Sequence, residues 1–212
     1  MAAFDLQEQE QIAEIKAWWT QWGKLLITVA VALLVAYVGQ AAWKAYQQSQ
    51  GEAATTAYGT VEKAFQAKDA AKTRAAADTM AKQQPGHALT SRAMLLAAKA
   101  AHDGKDLDKA RTALEWVVAH GNEDGVVDVA RLRLAAVLLD QKQFDAALKT
   151  LDKPKSDTFA GQFSDARGDV FAVKGDFPAA RKAYELARSQ LEKDSPAREL
   201  IEVKLSSLGA AK

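Results

Sequence analysis

Three histidines, His87, His102 and His120, are the residues of this 212-residue chain best suited to metal or proton chemistry. No two of them stand at His-x-x-x-His spacing, and the chain has no cysteine, so Cys-based zinc sites, thiolate nucleophiles and disulfides are excluded. All three fall at expected helix ends or turns and read as exposed surface groups. The acidic pair Glu123-Asp124 sits in an expected turn and reads as solvated charge. Asp145 with Lys149 is a helix-face pair at four-residue spacing. There is no Gly-x-Ser-x-Gly, no phosphate-cradling loop and no dinucleotide fingerprint. The expectation is a protein with no catalytic residues, no metal and no cofactor. A formal net charge of +1 gives no field for gathering nucleic acid.

Binding by a surface remains, and the elements that would present it are helices. Alanine is abundant, prolines number four, and β-branched runs are absent outside 25–43. That stretch is uncharged, lies between Lys24 and Lys44, and as a helix spans roughly 28 Å, the thickness of a bilayer's hydrocarbon core. Trp18, Trp19 and Trp22 precede it, and Trp43 and Tyr46 follow, as rings at headgroup depth should. A buried core helix would show a polar stripe, whereas only Thr28 and Gln40 interrupt this run. A cleaved signal peptide is suggested by Gly39-Gln40-Ala41. Against it stand the length of the apolar run and the acidic leader (Asp5, Glu8, Glu10, Glu14).

The spacing therefore predicts a leader over 1–24, a transmembrane helix over 25–43, a linker over 44–56 and a repeat domain over 57–212. In the leader, Asp5 and Glu8 match a capping box with Phe4 as staple. Leu6, Ile12, Ile15, Trp19 and Trp22 share one face, which suits either the membrane surface or a partner segment. Lys16 and Lys24 on one side against Lys44 and Lys63 on the other nearly balance, with a slight lean to an inside N-terminus.

From 53 to 208 a period near 34 residues emerges. With Gly168 at position 8, Phe171, Gly175, Phe177, Ala180, Tyr184 and Ala187 occupy positions 11, 15, 17, 20, 24 and 27 of a tetratricopeptide frame. Small residues at 8 and 20 let two helices cross closely, and large ones at 11 and 24 fill beside the crossing. Ala135 and Ala147 hold positions 8 and 20 of an upstream copy, and Ala98 and Ala110 those of another. A weaker copy over 57–90 aligns on Ala64, Ala76 and Met80. Pro154 must end one second helix early. Ser195 before Pro196 opens a final helix carrying Leu200, Ile201, Leu205 and Leu208, stopped by Gly209, that caps the stack. The fold class is thus all-α: one N-terminal transmembrane helix, then a tetratricopeptide-like α-solenoid of helix pairs with a C-terminal capping helix.

First helices of such pairs line a concave wall through positions 2, 5, 9 and 12. These are Arg92, Leu95, Lys99 and His102, then Val129, Leu132, Ala136 and Leu139, then Gln162, Asp165, Asp169 and Ala172. The middle copy is apolar, and the outer copies are basic at one end and acidic at the other. Such a strip would hold an extended or helical partner segment, unless neighbouring helices cover it.

Several stretches resemble the YfgM family, ancillary subunits of the bacterial Sec translocon. They are Glu14-Ile15-Lys16-Ala17-Trp18-Trp19 with Gly23-Lys24, Leu132-Arg133-Leu134-Ala135 before Lys142-Gln143-Phe144-Asp145-Ala146-Ala147, and Asp165-Ala166-Arg167-Gly168-Asp169 before Lys174-Gly175-Asp176. The resemblance runs over nearly the whole chain, loosest at 53–90. It implies a cytoplasmic N-terminus, a bacterial inner-membrane span and a periplasmic repeat domain. The partners it implies are the SecYEG translocon, a PpiD-like periplasmic chaperone and newly translocated client polypeptides, beside the lipid bilayer. The alternatives are a membrane-tethered repeat scaffold for another envelope assembly and a stress-signalling regulator.

Overall fold

The computed structural model describes residues 2–192 and 194–209, with side chains from Glu10 onward. Among these residues every regular element is a helix. Helix α1 runs Ala2–Gln66 and enters both of the chain's compact units, Met1–Glu52 and Ala53–Lys212.

In the first unit, α1 is already helical at Ala2, ahead of the start expected at Asp5. The expected capping box and staple, with Leu6, lie outside the described side chains. Glu10–Gln66 is the one described helix long and apolar enough to cross a membrane. Its apolar side chains stay exposed within the chain: Leu33 is 66% exposed, Val35 66% and Tyr37 70%. A soluble protein would bury such a surface, so the core-helix alternative does not describe it. Trp18, Trp19, Trp22, Trp43 and Tyr46 are exposed at the two ends. The stretch 44–56, expected as a linker, is helical throughout, because Gly51 alone costs a helix only about 1 kcal/mol.

The second unit stacks helix pairs. The last part of α1 shares a core with α2 (Ala70–Gln83) through Val61, Ala77 and Met80, while α3 (Ala88–Asp103) pairs with α4 (Leu107–His120), α5 (Asp124–Asp140) with α6 (Phe144–Thr150), and α7 (Ala160–Lys174) with α8 (Phe177–Gln190). A 3₁₀ turn at Asp157–Phe159 precedes α7, and α9 (Pro196–Ser207) packs on α8. The repeat frame is visible in burial. Ala110, Ala147 and Ala180 at the helix crossings are fully buried, and Leu114, Leu151 and Tyr184 fill beside them. Each such leucine contributes about 1.5–3 kcal/mol by leaving water.

One turn closes every pair. Its corner residue is left-handed, with φ of 56° at Lys68, 62° at Lys105, 60° at Lys142 and 86° at Gly175. The next N–H reaches back to a helix carbonyl: Asp69 to Ala64, Asp106 to Ala101, Gln143 to Leu138 and Asp176 to Phe171, at 2.8–3.0 Å. The carboxylates of Asp69, Asp106 and Asp176 then accept from the N–H groups of Lys72, Lys109 and Ala179, capping the following helix.

The corner at Lys68 corrects the first copy, which begins near 54 rather than 57. Ala54, Val61, Thr73, Ala77 and Met80 are its buried residues, while Ala64 and Ala76 are only half-buried. Thr73 takes the place of alanine at the crossing because its hydroxyl donates to the Asp69 carbonyl at 2.8 Å. Its one polar atom is thereby satisfied inside the core.

Two further features are local, the first as expected and the second not. Helix α6 ends at Thr150, one turn before Pro154, and the chain that follows is tied down by Asp128. Ser195 precedes α9 as expected, but its hydroxyl makes no capping bond; backbone turns hold that start instead.

Candidate functional site

The first helix of each pair contributes one rib of the wall, and the structure places every expected residue on these ribs. Arg92, near the start of α3, donates to both carboxylate oxygens of Glu123 at 2.8 and 2.9 Å. Leu95 lies half-buried against the core. Lys99 pairs with Asp103 one turn on, at 2.9 Å, and His102 Nε2 stands 3.4 Å from Asp140 of α5. On α5, Val129, Leu132 and Leu139 are half-buried and Ala136 is exposed. Gln162, on α7, is exposed and Ala172 half-buried.

Two recesses join these ribs. A cleft of about 360 Å³ between α3 and α5 brings Lys99, His102 and Ala136 together over Leu114 and Val137. A dent of about 50 Å³ between α5 and α7 gathers Leu132, Ala136, Leu139 and Asp169. Ala136 borders both, so the middle of the wall is one continuous surface. Its floor is aliphatic because the small residues of the repeat frame leave room there and the large ones fill behind.

The acidic end has a different character from the one its residue types suggest. Lys204 of α9 donates to Asp165 at 2.8 Å and to Asp169 at 3.0 Å, and the Tyr184 hydroxyl donates to Asp169 at 2.8 Å. Burial raises the Asp165 carboxyl above its ordinary range; the hydrogen bond from Lys204 pulls it down in part, and Asp169 pushes it further up. Burial by itself lowers Lys204, but its bonds to the two carboxylates outweigh that, and its value is raised. Burial, then the bond to Asp169, pushes Tyr184 well up. The two acids thus share one cation within the chain, and α9 occupies the place of a further rib.

Residues beyond the expected set belong to the wall as well. With the first copy in its observed register, Tyr58, Glu62 and Phe65 fall at positions 5, 9 and 12 of the α1 rib. Burial, then the adjacent Glu62, raises the Tyr58 hydroxyl. The shifted frame hid these three, and the Lys68-Asp69 pair, repeated as Lys105-Asp106 at the next turn, is the signal that would have revealed them. Arg133 lines the cleft from α5. It sits beside position 5 in the frame, where a cation on a wall helix was open to notice.

The histidines are placed by packing. His87 caps α3, its Nδ1 accepting from the Leu89 N–H at 3.2 Å. His120 stacks on Trp116 with centroids 4.7 Å apart. Among the described residues no three histidine, aspartate or glutamate side chains converge as metal ligands would.

Comparison with known proteins follows the same architecture. A family model described as a tetratricopeptide repeat-like domain matches residues 16–210. A protein of Neisseria gonorrhoeae named ancillary SecYEG translocon subunit is 32% identical over 207 residues, covering 97% of this chain and 99% of its own length. Proteins of the same name from Haemophilus influenzae and Escherichia coli are each 29% identical. These alignments cover 97% and 95% of this chain, and 100% and 96% of the relatives.

Proposed function

The chain belongs to the tetratricopeptide repeat-like family of ancillary SecYEG translocon subunits, and on that premise we propose that it is a membrane-anchored module gripping polypeptides beside the SecYEG channel. Residues 25–43 cross the bacterial inner membrane, with the N-terminus cytoplasmic and the repeats periplasmic. The repeats there assist a PpiD-like chaperone with newly translocated clients. The protein acts by binding rather than by catalysis. One observation carries this reading: a single chain joins an exposed apolar helix to a wall open at Leu132, Ala136 and Leu139.

Tethering supplies the physical gain. A span that keeps the wall beside the channel raises its local concentration toward the millimolar range, so weak contacts with passing segments suffice. Half-buried leucines at the base of a wall suit that task, because they offer apolar contact without demanding one sequence.

Blue-native electrophoresis of solubilised membranes tests the association: comigration with the channel supports it, and migration with an unrelated envelope complex would replace it. Glutamate at both Leu132 and Leu139 should abolish capture of partner polypeptides while the span keeps the protein in the membrane. Undiminished capture would reject this wall.

A further inference from the structure

We infer that the middle of the wall selects polypeptide segments carrying an acidic residue beside aliphatic ones. This deepens the proposed function and rests on it, since it names the chemistry of the segment that the wall holds. The cleft between α3 and α5 is rimmed by Lys99, His102 and Arg133, of which His102 faces Asp140 at 3.4 Å, and no carboxylate lines the cleft itself. Its floor is aliphatic, formed by Leu114, Ala136 and Val137. At about 360 Å³ it stands near the lower end of ligand pockets, room for one or two side chains rather than a whole small molecule.

The balance of charge along the wall gives the sign. Arg92 is held by Glu123, and Lys204 is shared by Asp165 and Asp169, so the basic end is internally neutralised and the acidic end is offset by one positive charge. Arg133 is exposed and makes no ion pair or side-chain hydrogen bond among the described residues. Lys99 shares its charge with Asp103, yet still borders the cleft, which Asp103 does not line. A glutamate or aspartate entering over the aliphatic floor would meet the Arg133 guanidinium and the Lys99 ammonium together. Its aliphatic neighbours would lie on Leu132 and Leu139 across Ala136, which borders both recesses. A basic segment would meet only like charge there.

The test uses the full chain in detergent and short fluorescein-labelled peptides of leucine, alanine and glutamate. Matched peptides have every glutamate replaced by glutamine or by lysine. Fluorescence anisotropy should show the glutamate peptide bound several-fold more tightly than the glutamine one, and the lysine peptide weakest. Arg133→Gln should weaken the glutamate peptide about threefold to fivefold, as loss of one exposed ion pair does, and leave the glutamine peptide unchanged. Arg133→Gln with Lys99→Gln should close the gap altogether. Equal binding of the glutamate and glutamine peptides, both lost on Leu132→Glu, would overturn the acidic preference and leave the wall standing. So would tightest binding of the lysine peptide. Binding of all three that Leu132→Glu does not touch would remove the wall itself, and this inference with it.

Discussion

The Tyr184 ring lies so close over Gly168 that a Cβ added to that glycine would stand 2.3 Å from the ring's Cε1. This contact is the tightest expression of the repeat rule, in which a missing side chain on α7 makes room for a large one on α8. The Tyr184 hydroxyl then continues to Asp169, coupling the crossing to the wall.

Gly168→Ala should therefore force the two helices apart and cost about 1–3 kcal/mol. Thermal unfolding followed by circular dichroism should show a midpoint lower by several degrees. Tyr184→Leu in the same protein should recover part of the loss, because the two positions share one volume. An unshifted midpoint in the single variant would show that the crossing is loose.

The turn corners predict opposite signs for similar changes. Lys105 holds φ of 62° with a Cβ that resists it, so Lys105→Gly should raise stability by about 0.5–1 kcal/mol. Gly175 holds 86° freely, so Gly175→Ala should lower stability by about 1 kcal/mol. Denaturant midpoints measured side by side decide this, and the same sign for both would contradict the turn argument.

Asp128 is fully buried and accepts from the N–H groups of Lys155 and Ser156 at 2.9 and 2.8 Å, with the Arg131 guanidinium 3.6 Å away. Asp128→Ala would leave both N–H groups without their acceptor and the Arg131 guanidinium, still bonded to the Thr150 and Lys153 carbonyls, without its carboxylate, costing about 2–4 kcal/mol. Because Pro154 has already ended α6, the other ties here are Arg131 to the Lys153 carbonyl and the exposed Lys155–Asp124 pair, and neither supplies an acceptor for those two N–H groups. Trypsin cleavage after Lys155 should accelerate markedly in the variant; an unchanged rate would mean the loop is held by other contacts.

The acids under α9 predict a pH dependence. Asp165 has a folded value raised above its ordinary 3.8, chiefly by burial, so the folded state holds the proton more tightly than the unfolded one. Its contribution is most favourable below about pH 4 and is lost as pH rises through the raised folded value. Asp165→Asn should remove that loss. Its stability relative to the parent should increase from acid pH toward neutrality, read from urea midpoints at each pH. A constant difference across the range would show that Lys204 has cancelled the effect of burial.

Periodicity made much of this architecture legible before any coordinates. Ala110, Ala147 and Ala180 mark helix crossings because only a small residue fits there, and the apolar length of 25–43 marks the candidate span. The first copy was displaced by three residues for two reasons. Thr73 stands where alanine was expected, and α1 runs unbroken from Ala2, so no turn or cap announces the start of a repeat. The same unbroken helix runs through 44–56, where no turn or cap marks a boundary. Among the wall residues, the ribs followed from the frame, but the closure of the acidic end did not. Lys204 reaches Asp165 and Asp169 across 35 to 39 positions, a pairing that depends on where α9 docks.

The central claim is that the anchored repeats hold polypeptides on their wall at the translocon. A photoreactive residue placed at Ala136 and, separately, at exposed Glu185 on α8 tests it most directly in living cells. The account predicts crosslinks from Ala136 to channel subunits, a chaperone or chains in transit, and few from Glu185. Equal yields from the two positions, or none from Ala136 while the protein sits in the membrane, would contradict it.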